Sequence, residues 1–163
     1  MPTEAEWEFA AGGGAGKPFV SGDDAAELCE HAHSMALAGG AQSAVASLQH
    51  LIGGISVTRD KLPAVCREAV PRGTQPVTGS GGRYKPNANG LYHVAGNVWE
   101  WVDGCFQNGG PGGTTVGTCE RVMRGGSWQS SIENLRIDSR RAAPAEFSSR
   151  TVGFRLVRSN GPE

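Results

Sequence analysis

Residues 90–101, GLYHVAGNVWEW, form a dense run of aromatic and apolar side chains. Trp99 and Trp101 are large apolar bodies, and each indole N–H group needs a hydrogen-bond partner when it is buried. Trp128, further along the chain, has the same character. The pattern predicts a buried cluster with short strands at 90–101, and it places these three tryptophans in the core.

Composition places this cluster in a single loop-rich domain. The chain has 163 residues, which fits one domain spanning 1–163. It contains 25 glycines, about twice the ordinary usage of ~7%. Glycine costs backbone entropy in helices and strands, so much of the backbone is expected to lie in loops.

Charge and hydropathy exclude two classes of partner. Fifteen basic and 16 acidic residues give a formal net charge of −1, so a basic face for nucleic acid is not expected. No apolar run approaches the ~18 residues of a membrane helix. Residues 1–16 lack the apolar core of a signal peptide. We therefore predict no nucleic-acid partner and no membrane segment in this chain.

The first helix is predicted at residues 2–11. Thr3 and Glu6 have the spacing of a capping box, in which a hydroxyl and a carboxylate satisfy each other's backbone N–H groups. Trp7 and Ala11 then share one helix face. Because the chain starts at the beginning of this helix, we expect it to be a fragment of a longer protein.

Weaker patterns predict the other elements. These are short helices at 24–38 and 41–52, a turn-rich segment at 71–90, a glycine loop at 107–118, and strands at 121–128 and 152–158. Residues 30–65 match no motif and form an unassigned insertion within the single domain.

The four cysteines bear on the compartment. Cys29, Cys66, Cys105 and Cys119 contain no Cys-x-x-Cys pair, which argues against a zinc ribbon. We favour the disulfides Cys29–Cys66 and Cys105–Cys119, since a crosslink at the base of a loop of about 15 residues stabilises by ~3 kcal/mol. These bonds would indicate an extracellular, cell-surface or periplasmic location. The alternative is four free thiols in a cytoplasmic protein.

Four blocks in order resemble one family. They are PTEAEWEFAA at 2–11, GLYHVAGNVWEW at 90–101, RVMRGGSW at 121–128 and GFRL at 153–156. Together they resemble the formylglycine-generating enzyme (sulfatase-modifying factor) family. The resemblance implies an α+β fold, an irregular, loop-rich variant of the C-type lectin-like fold, with the N-terminal part of the family domain missing here.

The same resemblance argues against the family's reaction. It implies oxidation of a sulfatase cysteine with copper and two cysteine thiolates. The corresponding positions here are Ser130 and Leu135. A hydroxyl does not replace a soft thiolate toward Cu(I), and leucine has no ligand atom. We therefore expect no copper and no catalytic residue.

A calcium site is implied in the block at 90–101. The resemblance assigns the carbonyls of His93, Gly96 and Val98 and the carboxylate of Glu100 as ligands. Carbonyl oxygens with one carboxylate suit a hard cation. The alternative is that Glu100 forms an ion pair with a buried arginine such as Arg155.

The C-terminal segment 129–152 is the predicted ligand-binding surface. Family members without the cysteine pair resemble binding modules, among them the variable proteins of diversity-generating retroelements, whose variable stretch corresponds to this interval. The candidate residues are Gln129, Ser130, Ser131, Ile132, Glu133, Ser139, Arg141, Glu146, Ser148, Arg150 and Thr151. Leu135, Arg136, Arg140 and Arg155 are predicted to be framework.

The leading functional prediction is a non-catalytic module that binds or displays a ligand, either protein or carbohydrate. Three alternatives stay open from the sequence. Residues 129–152 could be plain surface loops without a ligand. The chain could be an enzyme of the family with a different active site. It could also be an accessory domain of an envelope or signalling protein.

Overall fold

The computed structural model describes residues 1–12, 16–23, 27–38, 84–106 and 119–158. The helices are α1 (Glu4–Gly12), α2 (Leu28–His31), α3 (Met35–Ala38) and a 3₁₀ helix, η1 (Ile132–Leu135). The strands are β1 (Trp99–Cys105), β2 (Arg121–Arg124), β3 (Arg140–Ala143) and β4 (Val152–Phe154).

Helix α1 begins with the predicted capping box. The Thr3 N–H donates to Glu6 Oε2 at 2.7 Å, and the Glu6 N–H donates to Thr3 Oγ1 at 3.3 Å. The same contacts with Thr3 hold the pKa of the Glu6 carboxyl below its usual value. Trp7 and Ala11 are buried, so the helix packs through the predicted face.

The four strands form one sheet in the order β3-β2-β1-β4. Strand β1 is antiparallel to β2, with Glu100 opposite Arg124, and parallel to β4, with Glu100 opposite Gly153. Strand β2 is also antiparallel to β3, with Arg124 opposite Arg140. Glu100 of β1, Arg124 of β2 and Arg140 of β3 are therefore neighbours across the sheet.

Two predicted strands are shorter than expected, and one strand was not predicted. Strand β2 ends at Arg124 because Gly125 and Gly126 both adopt positive φ, +88° and +74°, which breaks an extended strand. The predicted strand at 152–158 extends only to Phe154. Strand β3 lies inside the segment that was interpreted as binding surface.

The core lies between α1, the sheet and η1. Its larger cluster includes Trp7, Leu28, Val102, Ile132 and Leu135. Among the predicted core tryptophans, Trp99 is buried, and Trp101 and Trp128 are half-buried. The core prediction therefore holds fully for Trp99 and in part for the other two.

Other predicted elements fall wholly or partly outside the described residues. The helix predicted at 24–38 is present as the two short helices α2 and α3. The helix predicted at 41–52 and the glycine loop at 107–118 lie outside the described residues, as do most of 30–65 and of 71–90.

The Cys105–Cys119 disulfide is present, with an S–S distance of 1.99 Å. Cys29 is also disulfide-bonded, and its predicted partner Cys66 lies outside the described residues. Disulfides are compatible with an extracellular or periplasmic location. Within the part of the chain that the structure describes, no helix is long and apolar enough to cross a membrane.

Candidate functional site

The candidate site begins where β2 turns away from the sheet. Gly125 and Gly126 allow a close approach of backbones: a Cβ atom on Gly125 would lie 2.5 Å from the Val94 carbonyl oxygen, and one on Gly126 would lie 2.7 Å from the Asn134 carbonyl oxygen. Real Cβ atoms do not occupy such positions. The two glycines therefore hold the following residues, Ser127 onward, tightly against η1.

Ser127 and Ser130 form a buried hydrogen-bonded turn. The Ser127 N–H donates to Ser130 Oγ at 2.9 Å, and the two hydroxyl oxygens are 3.2 Å apart. Ser34 Oγ donates to the Ser130 carbonyl oxygen at 2.8 Å. The hydroxyl of Ser130 thus closes this turn. Leu135, at the second position of the family's cysteine pair, is buried in the core.

A polar pocket of about 340 Å³ opens beside this turn. It collects residues from β1, β3, η1 and the loops around them. The lining consists of Trp99, Ser127, Gln129, Ser130, Ser131, Asn134, Arg140, Arg141 and Thr151. Five of the predicted ligand-binding residues meet here: Gln129, Ser130, Ser131, Arg141 and Thr151.

The other predicted binding residues do not line the pocket. Four of them, Glu133, Glu146, Ser148 and Arg150, are exposed, and Ser139 is half-buried. The assignment of Ile132 to the binding surface was wrong: its side chain is 1% exposed and packs in the core. Its apolar side chain faces inward from η1, where it contributes to burial.

The pocket residues that the sequence prediction missed come from other segments or were assigned to framework. Ser127 and Asn134 lie in or beside the predicted segment, whereas Trp99 comes from β1. Arg140 was predicted as framework. It does form an ion pair with Glu4 of α1, and it also lines the pocket. The polarity of residues 127–134 was a usable signal for Ser127 and Asn134, but none pointed to Trp99.

A buried arginine joins the pocket's framework to α1. Arg124 is fully buried, and its guanidinium forms ion pairs with Glu4, at 3.0 Å, and with Glu8. It also donates to the Ile137 carbonyl oxygen at 2.7 Å. Burial lowers the pKa of Arg124 from its usual value, and the carboxylates of Glu8 and Glu4 oppose that shift. The guanidinium is the most basic of the side chains, and the two adjacent carboxylates favour its charged form.

Arg140 shares one of these carboxylates. Its Nε lies 2.5 Å from Glu4 Oε1, and its second guanidinium nitrogen lies 3.0 Å from Glu4 Oε2. Glu4 therefore binds arginines of β2 and β3 together. This network was not predicted from the sequence, although Glu4 and Glu8 stand one helical turn apart.

Two further arginines lie over aromatic rings. The Arg141 guanidinium carbon is 5.9 Å from the ring centroids of both Trp99 and Phe147. The Arg150 guanidinium carbon is 5.6 Å from the Trp128 ring centroid. Among the described residues, no carboxylate forms an ion pair with either arginine.

Glu100 forms an ion pair with Arg155, which is the predicted alternative to a calcium site. Arg155 donates to both of its carboxylate oxygens, at 2.7 and 3.0 Å, and Trp7 Nε1 donates to Oε2 at 2.8 Å. Glu100 is the one carboxylate of the predicted calcium set, and a cation would have to displace Arg155 to reach it. This donor set, as it stands, does not fit calcium.

The contacts of Glu100 lead to an expected result for metal removal. The melting temperature should be the same in excess EDTA and in millimolar calcium, because Arg155 already neutralises the carboxylate. Glu100→Gln should lower the melting temperature equally in both buffers, since it weakens the contacts with Arg155 and Trp7. Thermal unfolding followed by circular dichroism measures this. A calcium-dependent rise that Glu100→Gln abolishes would instead establish the predicted calcium site.

The family of the chain follows from comparison with known proteins. Residues 1–160 match the family of sulfatase-modifying factor enzyme 1-like domains. The chain belongs to that family. The sequence-based resemblance is thereby confirmed. The match includes all four sequence blocks and the two glycines that follow β2, so these features belong to one sulfatase-modifying factor domain.

Curated relatives include active and inactive members. The formylglycine-generating enzyme of Streptomyces coelicolor is 32% identical over 173 residues, covering 96% of this chain and 46% of the enzyme. The inactive C-alpha-formylglycine-generating enzyme 2 of Mus musculus is 30% identical, covering 99% of this chain and 43% of that protein. This domain spans less than half the length of each.

Solved structures agree with the predicted fold. Variable protein 1 of Treponema denticola superposes with a TM-score of 0.62 at 28% identity, covering 94% of this chain and 45% of that one. PvdO from Pseudomonas aeruginosa superposes with a TM-score of 0.59 at 25% identity, covering 94% and 50%. The domain therefore has the α+β, C-type lectin-like fold of the sulfatase-modifying factor family.

Proposed function

We propose that this sulfatase-modifying factor domain is a non-catalytic module that displays a ligand-binding surface, and that it is the variable protein of a diversity-generating retroelement. The observation that carries the proposal is the pocket beside β3. Residues separated in sequence, Gln129 to Ser131, Arg141 and Thr151, converge around one polar opening. Gln129, Ser131 and Arg141 are exposed, and polar groups that converge in a pocket orient a bound ligand.

The positions of the family's two cysteines support a non-catalytic role. Ser130 uses its hydroxyl to close the turn with Ser127, and Leu135 packs in the core. Both side chains therefore stabilise the local structure, Ser130 through hydrogen bonds and Leu135 through apolar packing. We therefore also propose that the functional protein does not use copper.

The framework under the surface supports a role in display. Arg124 and Arg140 tie β2 and β3 to α1 through Glu4. The same C-terminal segment also carries exposed side chains, including Glu146, Ser148 and Arg150. Substitutions at exposed positions of this kind change stability by about 0.5 kcal/mol or less, so the surface can vary while the fold is kept. Similarity to variable protein 1 of Treponema denticola is consistent with this role.

The proposed location is extracellular, cell-surface or periplasmic. The Cys105–Cys119 disulfide supports it, because disulfides persist in oxidising compartments. In such a location the domain can bind a protein or carbohydrate ligand outside the cytoplasm.

Sequencing of this gene in many isolates tests the proposal. Substitutions should cluster in codons 129–151 and fall on exposed positions such as Gln129, Ser131 and Glu146. Codons for the buried Ile132 and Leu135 should stay constant, because changes there create cavities or overpacking. A near-copy of the segment should lie beside a reverse-transcriptase gene.

The control is the segment 84–106 of the same gene, which should vary no more than the genome average. Equal variation in the two segments, or an invariant 129–151 without a nearby copy, would contradict the retroelement assignment. Variation at Ile132 and Leu135 equal to that at exposed codons would contradict the proposed division between framework and surface.

A further inference from the structure

The pocket beside β3 has a one-sided charge. None of its nine lining residues is an aspartate or glutamate, and two are arginines. The charge of Arg140 is shared with Glu4. Arg141 has no ion-pair partner among the described residues. Within the described part of the chain, the pocket therefore presents one positive charge that no carboxylate compensates.

Arg141 is held in place before a ligand arrives. Its guanidinium carbon lies 5.9 Å from the ring centroids of both Trp99 and Phe147. Contact with aromatic faces restrains a long side chain and leaves the N–H groups of the planar fork available. A fork of this kind matches the two oxygens of a carboxylate.

A second arginine lies close by in the chain. Arg150 precedes the lining residue Thr151 and has no ion-pair partner among the residues that the structure describes. It is exposed, and its guanidinium lies over the Trp128 ring. The ligand surface therefore carries a further unneutralised cation next to the pocket in sequence.

The rest of the lining is made of groups that both donate and accept hydrogen bonds. Gln129 and Ser131 are exposed and Asn134 is half-buried, whereas the hydroxyls of Ser127, Ser130 and Thr151 are buried and hydrogen-bonded within the protein. Hydroxyls and carboxamides each offer both roles, as do the hydroxyls of a sugar. The one aromatic lining residue, Trp99, is 3% exposed, so the pocket offers no apolar anchor of the kind that peptides use.

We propose that this pocket binds a carboxylated sugar unit, a uronate, with the carboxylate on Arg141 and the ring hydroxyls on Gln129, Ser131 and Asn134. This assignment rests on the proposed function, that residues 129–152 form a ligand surface. The volume of about 340 Å³ suits one sugar ring with part of a second. An acidic polypeptide would also satisfy Arg141, but it would find no exposed apolar side chain among the lining residues to anchor it.

The test is titration of the full chain with a galacturonate trimer, followed by calorimetry and by amide shifts in NMR spectra. Saturable binding should shift the amides of Gln129, Ser131 and Arg141. Arg141→Gln should weaken binding about tenfold or more, since a hydrogen bond to a charged group is worth ~1.5–3 kcal/mol. Arg141→Lys should give an intermediate affinity, because it keeps the charge without the fork.

Matched probes and variants decide the outcome. The fully methyl-esterified trimer, which has no charge, should bind at least tenfold more weakly. Arg158→Gln removes another exposed arginine that does not line the pocket and should leave the affinity unchanged. Thermal melts of each variant show whether it is folded, and Ser131→Ala serves as a second pocket variant if Arg141→Gln is not.

Three results would overturn the uronate assignment. These are no binding of the trimer, equal binding of the esterified trimer, and equal losses from Arg141→Gln and Arg158→Gln. Arg141-dependent binding of a glutamate oligomer without trimer binding would assign the pocket to acidic polypeptides instead. Since codon variation in 129–151 is measured separately, failure of the sugar assignment is distinguishable from failure of the display function.

Discussion

Arg124→Leu is expected to lower the free energy of unfolding by about 3–5 kcal/mol, the cost of removing one partner from a buried ion pair. Arg124 is fully buried between Glu4 and Glu8 and also donates to the Ile137 carbonyl oxygen. Leucine would leave the Glu8 carboxylate and the Ile137 carbonyl oxygen without this donor, whereas Glu4 keeps its bonds with Arg140. It would also remove the guanidinium that lies 5.4 Å from the Trp7 ring centroid.

Chemical denaturation in urea measures this loss, and Arg136→Gln is the matched control. Arg136 forms an ion pair with Asp138 in which the side chains are 38% and 66% exposed, and surface pairs of this kind contribute ~0–1 kcal/mol. Arg124→Lys, which keeps the charge, should fall between the two and remains measurable if the leucine variant does not fold. Equal losses for Arg124→Lys and Arg136→Gln would show that the buried network does not hold α1 to the sheet.

Gly96→Ala is the second substitution with a large expected effect. Gly96 has φ +75°, and a Cβ atom there would lie 2.2 Å from the His33 carbonyl oxygen. The left-handed backbone costs ~1–2 kcal/mol for alanine, and relieving the overlap adds ~1–3 kcal/mol. We expect a total loss of about 2–5 kcal/mol, because the His33 backbone also receives the Asn97 N–H at 2.8 Å and cannot move away freely.

Gly90→Ala is an internal control for the backbone term. Gly90 has φ +76°, nearly the same as Gly96, yet nothing lies within 4 Å of the position that a Cβ atom would take there. Its loss should therefore be about 1–2 kcal/mol, the left-handed term alone. The difference between the two variants, measured by urea denaturation, isolates the close approach. Equal losses would mean that the segment at His33 yields without cost.

Local signals in the sequence were sufficient for several features. The capping box of Thr3 and Glu6 depends on residues three apart, so the start of α1 follows from neighbours in the chain. The Cys105–Cys119 disulfide closes a short span and was predicted from its spacing. The substitution of the family's cysteine pair by Ser130 and Leu135 is likewise a matter of residue identity.

Features that depend on distant contacts were missed. Arg124 and Glu4 are far apart in sequence, and nothing local indicates that they meet. Ile132 stands among polar residues, so its neighbours indicated a surface, whereas the 3₁₀ turn at 132–135 directs it into the core. Strand β3 contains two arginines and two alanines, a composition with weak strand propensity, and it forms because β2 offers a free edge.

The sequence by itself determined the family, the presence of Ser130 and Leu135 where the resemblance implies a cysteine pair, and the segment that we propose faces a ligand. Each of these rests on which residues occupy given positions. Only the tertiary structure decided which members of that segment meet around the pocket. It also showed that Glu100 pairs with Arg155 and that Arg141 is left without a carboxylate among the described residues. The physical reason is that burial and charge pairing depend on distances in space, and in a loop-rich chain few local rules fix those distances.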